Sequence, residues 1–187
     1  MNGRGRGRPS QQHGQSVVEF ALLLPIMLIL MLAIADMARI YTTMMSVESA
    51  AREAADFGTT FGAGKWDSTN RPMTVSEMER RACVAASNLP DYRDPDGDPQ
   101  TGGCTNPSFA YCVTPTVGGT CGPIQDSDGC DNPDRAVPCD VTVTLTYDFH
   151  LIAPVNVRVF DTEIGLPSTL SFERDSTYAI TDIEVAP

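Results

Sequence analysis

One stretch, SVVEFALLLPIMLILMLAIA (16–35), limits every other choice this chain can make. From Phe20 to Ala35 each residue is apolar, counting Pro25. About 20 helical residues at 1.5 Å each cover the roughly 30 Å hydrocarbon core of a bilayer. The run is therefore a transmembrane candidate. Glu19 disturbs it. An ionisable group within such a segment is a functional hypothesis by default, with snorkelling to water as the simpler alternative.

Charge is distributed as unevenly as hydropathy. Residues 1–15 carry Arg4, Arg6 and Arg8 and no acid, while all 24 acidic residues lie further on. Basic residues flanking a span stay cytoplasmic, which predicts the N-terminus inside and the acidic remainder outside. The leader MNGRGRGRPSQQHG has nothing to bury and reads as disordered. Its arginines are topogenic on this reading, and nucleic-acid binding is not expected. Six cysteines, Cys83, Cys104, Cys112, Cys121, Cys130 and Cys139, all fall on the outer side. An even number in an exported region predicts disulfides, with the pairing open. No CxxC pair is present and His occurs only at 13 and 150, which argues against zinc.

Beyond the span the helical pattern continues. Met37, Ile40, Met44, Val47, Ala51 and Ala54 follow alternating spacings of three and four, and Gly58 is a plausible stop. The resulting rod needs a partner for its seam, either the chain's own head or neighbouring subunits. Residues 61–72 read as a loop. TVSE (74–77) has the form of a capping box opening a second helix that ends before Pro90. Residues 90–139 are dense in Pro, Gly, Asp, Asn and Cys, so crosslinks must supply what a core does not. A short strand is expected at Phe109–Val113. In VTVTLTYDFHLI (141–152), Val141, Val143, Leu145, Tyr147 and Phe149 alternate with polar residues, the mark of a half-buried antiparallel strand. VNVRVF (155–160) and STLSFERDSTYAI (168–180) complete the expected sheet, packed on the outer half of the long helix. The fold class is thus α+β: a long N-terminal transmembrane helix continuing into a small extracytoplasmic head with an antiparallel sheet, disulfide-stapled. Three regions follow: a basic leader (1–14), the helix (15–58), and the head (59–187) with its Cys- and Asp-rich insert (90–139).

The short basic leader ends in Gly14, Gln15 follows, and Glu19 is the fifth residue after the glycine. This resembles the class III signal of type IV pilin-like proteins. GQSVVEFALLLPIMLIL, then IADMARIY with Asp36 and Arg39, then SVESAAREAADFG with Ala50–Glu53, is similar to the TadE-like family of the tight adherence (Flp pilus) system. Phe20 stands where related pilins often have tyrosine, and the insert is not part of the family pattern. The resemblance implies cleavage between Gly14 and Gln15 by a prepilin-type peptidase. It implies that Glu19 serves assembly by pairing with a neighbour's new amino terminus, where an unpaired charge in a dry bundle is costly. It further implies partners among other pilin subunits and the membrane assembly platform. The function expected is a pseudopilin-like minor subunit assisting pilus assembly or tip display for surface attachment.

Two rivals differ in class. Ala33–Ala35 has small residues suited to ordinary signal peptidase, which would release a secreted, disulfide-rich binding module; a plain signal anchor carrying such an adhesin is the other form. Against release, Glu19 interrupts the apolar region and the seam runs past residue 35. No enzyme is expected, since no nucleophile elbow or ligand set is visible. No cofactor is expected either. The acidic loops Asp94, Asp96, Asp98 and Asp126, Asp128, Asp131, Asp134 place carboxylates at near-alternate positions, as calcium favours. Neither has EF-hand spacing, and Asp, Gly and Pro are ordinary turn formers. Solvated turns are the expectation, calcium the alternative.

Overall fold

A computed structural model describes residues 15–60, 63–115, 130, 138–152, 156–159, 162–165 and 167–180. One helix, α1 (Gln15–Thr59), takes in the apolar run and the amphipathic segment after it, continuing through Pro25. A helix of this length must satisfy its last carbonyls from outside. Here the Lys65 ammonium donates to the Phe57 carbonyl (2.6 Å) and the Trp66 indole Nε1 to that of Gly58 (3.0 Å). Burial, with Arg81 nearby, holds the Lys65 ammonium below its ordinary value. Lys65 belongs to a short 3-10 turn (Ala63–Lys65). Trp66, fully buried, is the largest side chain in the core, and its place in a Gly-, Ser- and Asn-rich connection had concealed it.

The second helix, α2 (Arg71–Ala86), starts earlier than the TVSE motif suggests. Pro72 sits in its first turn, where a missing N–H is harmless. The Asp67 carboxylate organises the approach, accepting from the amides of Thr69 (2.8 Å) and Asn70 (2.7 Å). Those bonds, Asn70 foremost, hold its carboxyl below the ordinary range. Thr74 and Glu77 therefore make no capping box. Thr74 donates its hydroxyl to the Lys65 and Asn70 carbonyls. Glu77 pairs instead with Arg80 (2.6 Å) and Arg81 (3.0 Å) one turn on. Its carboxyl is pulled down to about 2, chiefly by the Arg80 hydrogen bonds.

Three strands form the main sheet in the order β1 (Ser108–Pro115), β2 (Cys139–His150), β5 (Thr169–Ala179), both pairings antiparallel. β2 realises the alternation in its sequence. Val141, Val143, Leu145, Tyr147 and Phe149 are fully buried, while Asp148 and His150 face solvent. The expected third member at 155–160 does not join this sheet. β3 (Asn156–Val159) pairs with the unforeseen β4 (Thr162–Gly165) as a separate two-stranded unit. Both edges of β2 are already taken, so the short strand pairs with its near neighbour in sequence.

The helix lies along β2. Gly58 faces Val141, and Asp36 meets the backbone of Ile152. The roughly 22 residues between Asp36 and Gly58 rise about 33 Å as helix, and the roughly 11 from Val141 to Ile152 about 37 Å as strand. The two elements are commensurate. The buried face of α1 is Asp36, Thr43, Val47, Ala50, Ala51, Ala54 and Ala55, so the expected seam holds at Val47, Ala51 and Ala54 and departs at Met37, Ile40 and Met44. Met37 is 68% exposed, and Ile40 and Met44 are half-buried. Small residues win the interface because they let the sheet and α2 approach closely, which leaves the bulkier methionines at its margin. Gly58 carries that logic furthest. It ends no helix by a left-handed turn. A Cβ there would lie 2.9 Å from the Met78 sulfur and 3.1 Å from Val141 Cγ1.

Two disulfides among the described residues are buried, and one of them, Cys130–Cys139, belongs to the core itself. Cys83–Cys104 ties α2 to the segment after it, and Cys130–Cys139 ties the insert to the start of β2. Cys112 is disulfide-bonded too, and none of the described cysteines is free. Closing a loop of roughly 20 residues, as Cys83–Cys104 does, contributes about 3 kcal/mol in the chain-entropy account. Gly102, at φ +78°, lets this loop press against the backbone of Arg80.

Two outcomes follow. Gly58→Val should destabilise the protein by about 1–3 kcal/mol through overpacking, read as a lower urea midpoint. Glu77→Gln should alter the acid limb of the stability profile. The folded carboxyl titrates near 2 and the unfolded one near 4.5, so its stabilisation is complete above about pH 4.5 and lost as pH falls toward 2. The stability gap between wild type and variant should shrink across that window, and a gap independent of pH would contradict the assignment.

Candidate functional site

Among the described residues, none from the N-terminal half of α1 belongs to the core of the head. Every residue from Ser16 to Ala35 is exposed, among them Leu22 (69%), Met31 (70%) and Ile34 (62%). Twenty consecutive exposed positions with almost no charge would be untenable in water. This helix is long and apolar enough to cross a membrane. Glu19 sits on it one turn after Gln15, the first residue of α1, and so on the same face. Gly14 lies outside the described residues, so the Gly14–Gln15 peptide is not seen.

Where the exposed half ends, the head begins, and the change is marked by one buried carboxylate. Asp36, 6% exposed, accepts from Arg39 Nη1 (3.3 Å) and from the backbone N–H of Ile152 (3.3 Å). The Arg39 guanidinium lies over the Phe149 ring, 4.9 Å from its centroid. The spacing of three places both side chains on one face of α1, and that face meets the end of β2. The pair thus clamps the first turn of the head's helix to the end of its central strand and the residues just beyond it. The sequence offers Asp36 and Arg39 as a motif. It does not show their partners, which lie more than a hundred residues away.

A second polar node holds the same end of β2. Asn106 donates to the carbonyls of Asp91 (2.6 Å) and Asp148 (2.8 Å) and accepts from the Asp148 amide (2.8 Å). The Tyr147 hydroxyl accepts from the Asp91 amide (2.9 Å), and burial holds that phenol above its ordinary value. Asp91 in turn accepts from the His150 amide and lies 3.3 Å from its Nδ1. Sequence reasoning missed this node, because single polar residues in a turn-rich segment carry no periodic signal.

In the first acidic loop, Asp94 accepts from the Asp96 amide and the Tyr92 hydroxyl, and Asp98 from the Gln100 amide. Burial and the Asp94 contact push the Tyr92 phenol up to about 12. These are turn-forming bonds of the kind expected from Asp and Gly. Among the described residues no three acidic, His or Cys side chains gather closely enough to hold a metal ion. Asp126, Asp128, Asp131, Asp134 and Cys121 lie outside the described residues.

The clamp generates its own prediction. Asp36→Ala leaves the Ile152 N–H without its acceptor and the Arg39 guanidinium without its carboxylate, which should cost about 1–3 kcal/mol. Hydrogen exchange at the Ile152 amide should accelerate while amides in the middle of β2 keep their protection. Uniform loss across β2, or no change at Ile152, would show that the clamp is not local.

No curated protein and no solved structure matches the chain. The family model described as TadE-like protein matches residues 14–56. That interval begins one residue before α1, contains Glu19, Asp36 and Arg39, and ends three residues short of the helix terminus. It points to a Tad pilus-associated protein. Over residues 14–56, which carry both the exposed half of the helix and the clamp, the chain is similar to TadE-like proteins.

Proposed function

We propose that this chain is a pseudopilin-like minor subunit of a tight adherence (Flp-type) pilus, assisting pilus assembly or displaying its head for surface attachment. The observation that carries the reading is the coincidence of the TadE-like match with one continuous helix whose first half is wholly exposed. The chain crosses the cytoplasmic membrane once in this proposal. Arg4, Arg6 and Arg8 hold the leader inside, and the acidic, disulfide-bonded head lies outside. A prepilin-type peptidase removes residues 1–14. Its active site works at the cytoplasmic face, where Gly14 offers no side chain against close backbone approach. Glu19 then pairs with the amino terminus of an adjacent subunit. No catalytic role, cofactor or nucleic-acid partner is proposed.

The N-terminal peptide of the protein taken from native membranes tests this directly by mass spectrometry. A start at Gln15 is expected. A start at Asp36 would assign the chain to ordinary signal peptidase and to the secreted binding-module class, and an intact leader would leave a plain signal anchor. Gly14→Val should abolish processing. Glu19→Ala should insert and be cleaved yet assemble poorly, and Glu19→Gln separates the charge from its hydrogen-bonding capacity.

A further inference from the structure

Ile152 is a large apolar residue, 62% exposed; among the described residues of the head, Met73 (73%) and Tyr178 (39%) are the other large apolar side chains exposed, and neither adjoins the span. Its height is set by a bond. The Ile152 amide donates to Asp36, the first residue after the apolar run, so this side chain emerges level with the end of the span. On α1 at the same end, Met37 (68%) and Tyr41 (66%) are exposed as well. The sequence continues the theme, since Ala153, Pro154 and Val155 are also apolar.

We propose that the base of the head rests on the bilayer, with Ile152 and Met37 immersed in the lipid interface. This rests on the membrane-anchored reading above. The span of about 20 residues matches the roughly 30 Å hydrocarbon core, which puts Asp36 and Arg39 at the boundary. The headgroup layer is only about 5–8 Å deep on each side. Tyr41, about 8 Å further along α1, reaches its outer margin, a level that tyrosine favours. Met45, about 14 Å out, stands clear in water although it is 53% exposed. The occupant is thus a lipid surface rather than a second helix. Exposed apolar residues at the base touch lipid because they continue, without a gap, the surface of the span. The clamp fixes the head to the helix at that level, so the head cannot tilt away without breaking it.

Single tryptophans report the contact in full-length protein reconstituted into phosphatidylcholine vesicles, with the fully buried Trp66 as a constant background and a check on folding. Ile152→Trp should lose emission to lipid brominated near the headgroup end of its chains, shift to the blue, and resist acrylamide. Met45→Trp should be quenched by acrylamide and not by bromine. Leu28→Trp, inside the span, should be quenched by lipid brominated deep in its chains. If Leu28→Trp responds and Ile152→Trp stays open to acrylamide, the seating is wrong and the span stands. If Leu28→Trp does not respond, the membrane reading itself fails and the seating with it. Shielding of tryptophans at 37, 41 and 45 alike, without bromine quenching, would assign the stripe to another copy of the helix and overturn the lipid contact.

Discussion

The close approach of α1 to β2 is the constraint on which the head depends. Neither element could be buried alone. β2 presents a continuous apolar face of Val141, Val143, Leu145, Tyr147 and Phe149, and α1 presents mostly methyl groups and a bare glycine. Large side chains from the strand fill the space that alanines on the helix leave open, so burial comes mainly from one partner and proximity from the other. α2 closes the same core from the side through Met78, Ala82 and Ala86, and Trp66 plugs its far end. Loss of closeness at any of these points would expose several side chains at once.

The polar bonds described above sit at the two ends of this core. At one end Asp36 and Arg39 join the helix to the strand terminus. At the other, Lys65 and Trp66 satisfy the final carbonyls of α1. Phe57 meets two cations there, the Lys65 ammonium 3.6 Å and the Arg81 guanidinium 4.3 Å from its ring centroid. Such contacts strengthen when water is excluded. The middle of the interface is apolar and its ends are polar, so the register of helix against strand is set twice.

Much of this architecture was legible in the sequence because it is written in short periods. The alternation of β2 repeats every two residues and the helical continuation every three or four, the apolar run is unbroken, and all three elements form. What escaped had no period. The capping box at Thr74–Glu77 is a local pattern, yet Asp67 and Pro72 begin the helix earlier and Arg80 and Arg81 claim Glu77. Of the seam expected on α1, Val47, Ala51 and Ala54 are fully buried, whereas the bulkier Met37, Ile40 and Met44 give way to smaller neighbours. Trp66, Asn106 and Asp91 act through partners distant in sequence, and nothing in their immediate neighbours announces it. At the site, Asp36 and Arg39 were visible as a motif, but the meaning of the motif, a clamp on Ile152 and Phe149, required the fold.

The antiparallel run of α1 beside β2 has a mechanical consequence. In the role proposed above, a subunit drawn out of a membrane would be pulled through its helix, and the load would enter the head at Asp36. Because helix and strand are parallel in axis and equal in length, that load acts along their common direction rather than across it. β2 is in turn bonded to β5 over eleven consecutive residue pairs, again along the same direction. The head is therefore loaded in shear. Shear sets many bonds under tension together, whereas peeling would break them one by one, so a head fastened in this way transmits traction without unzipping.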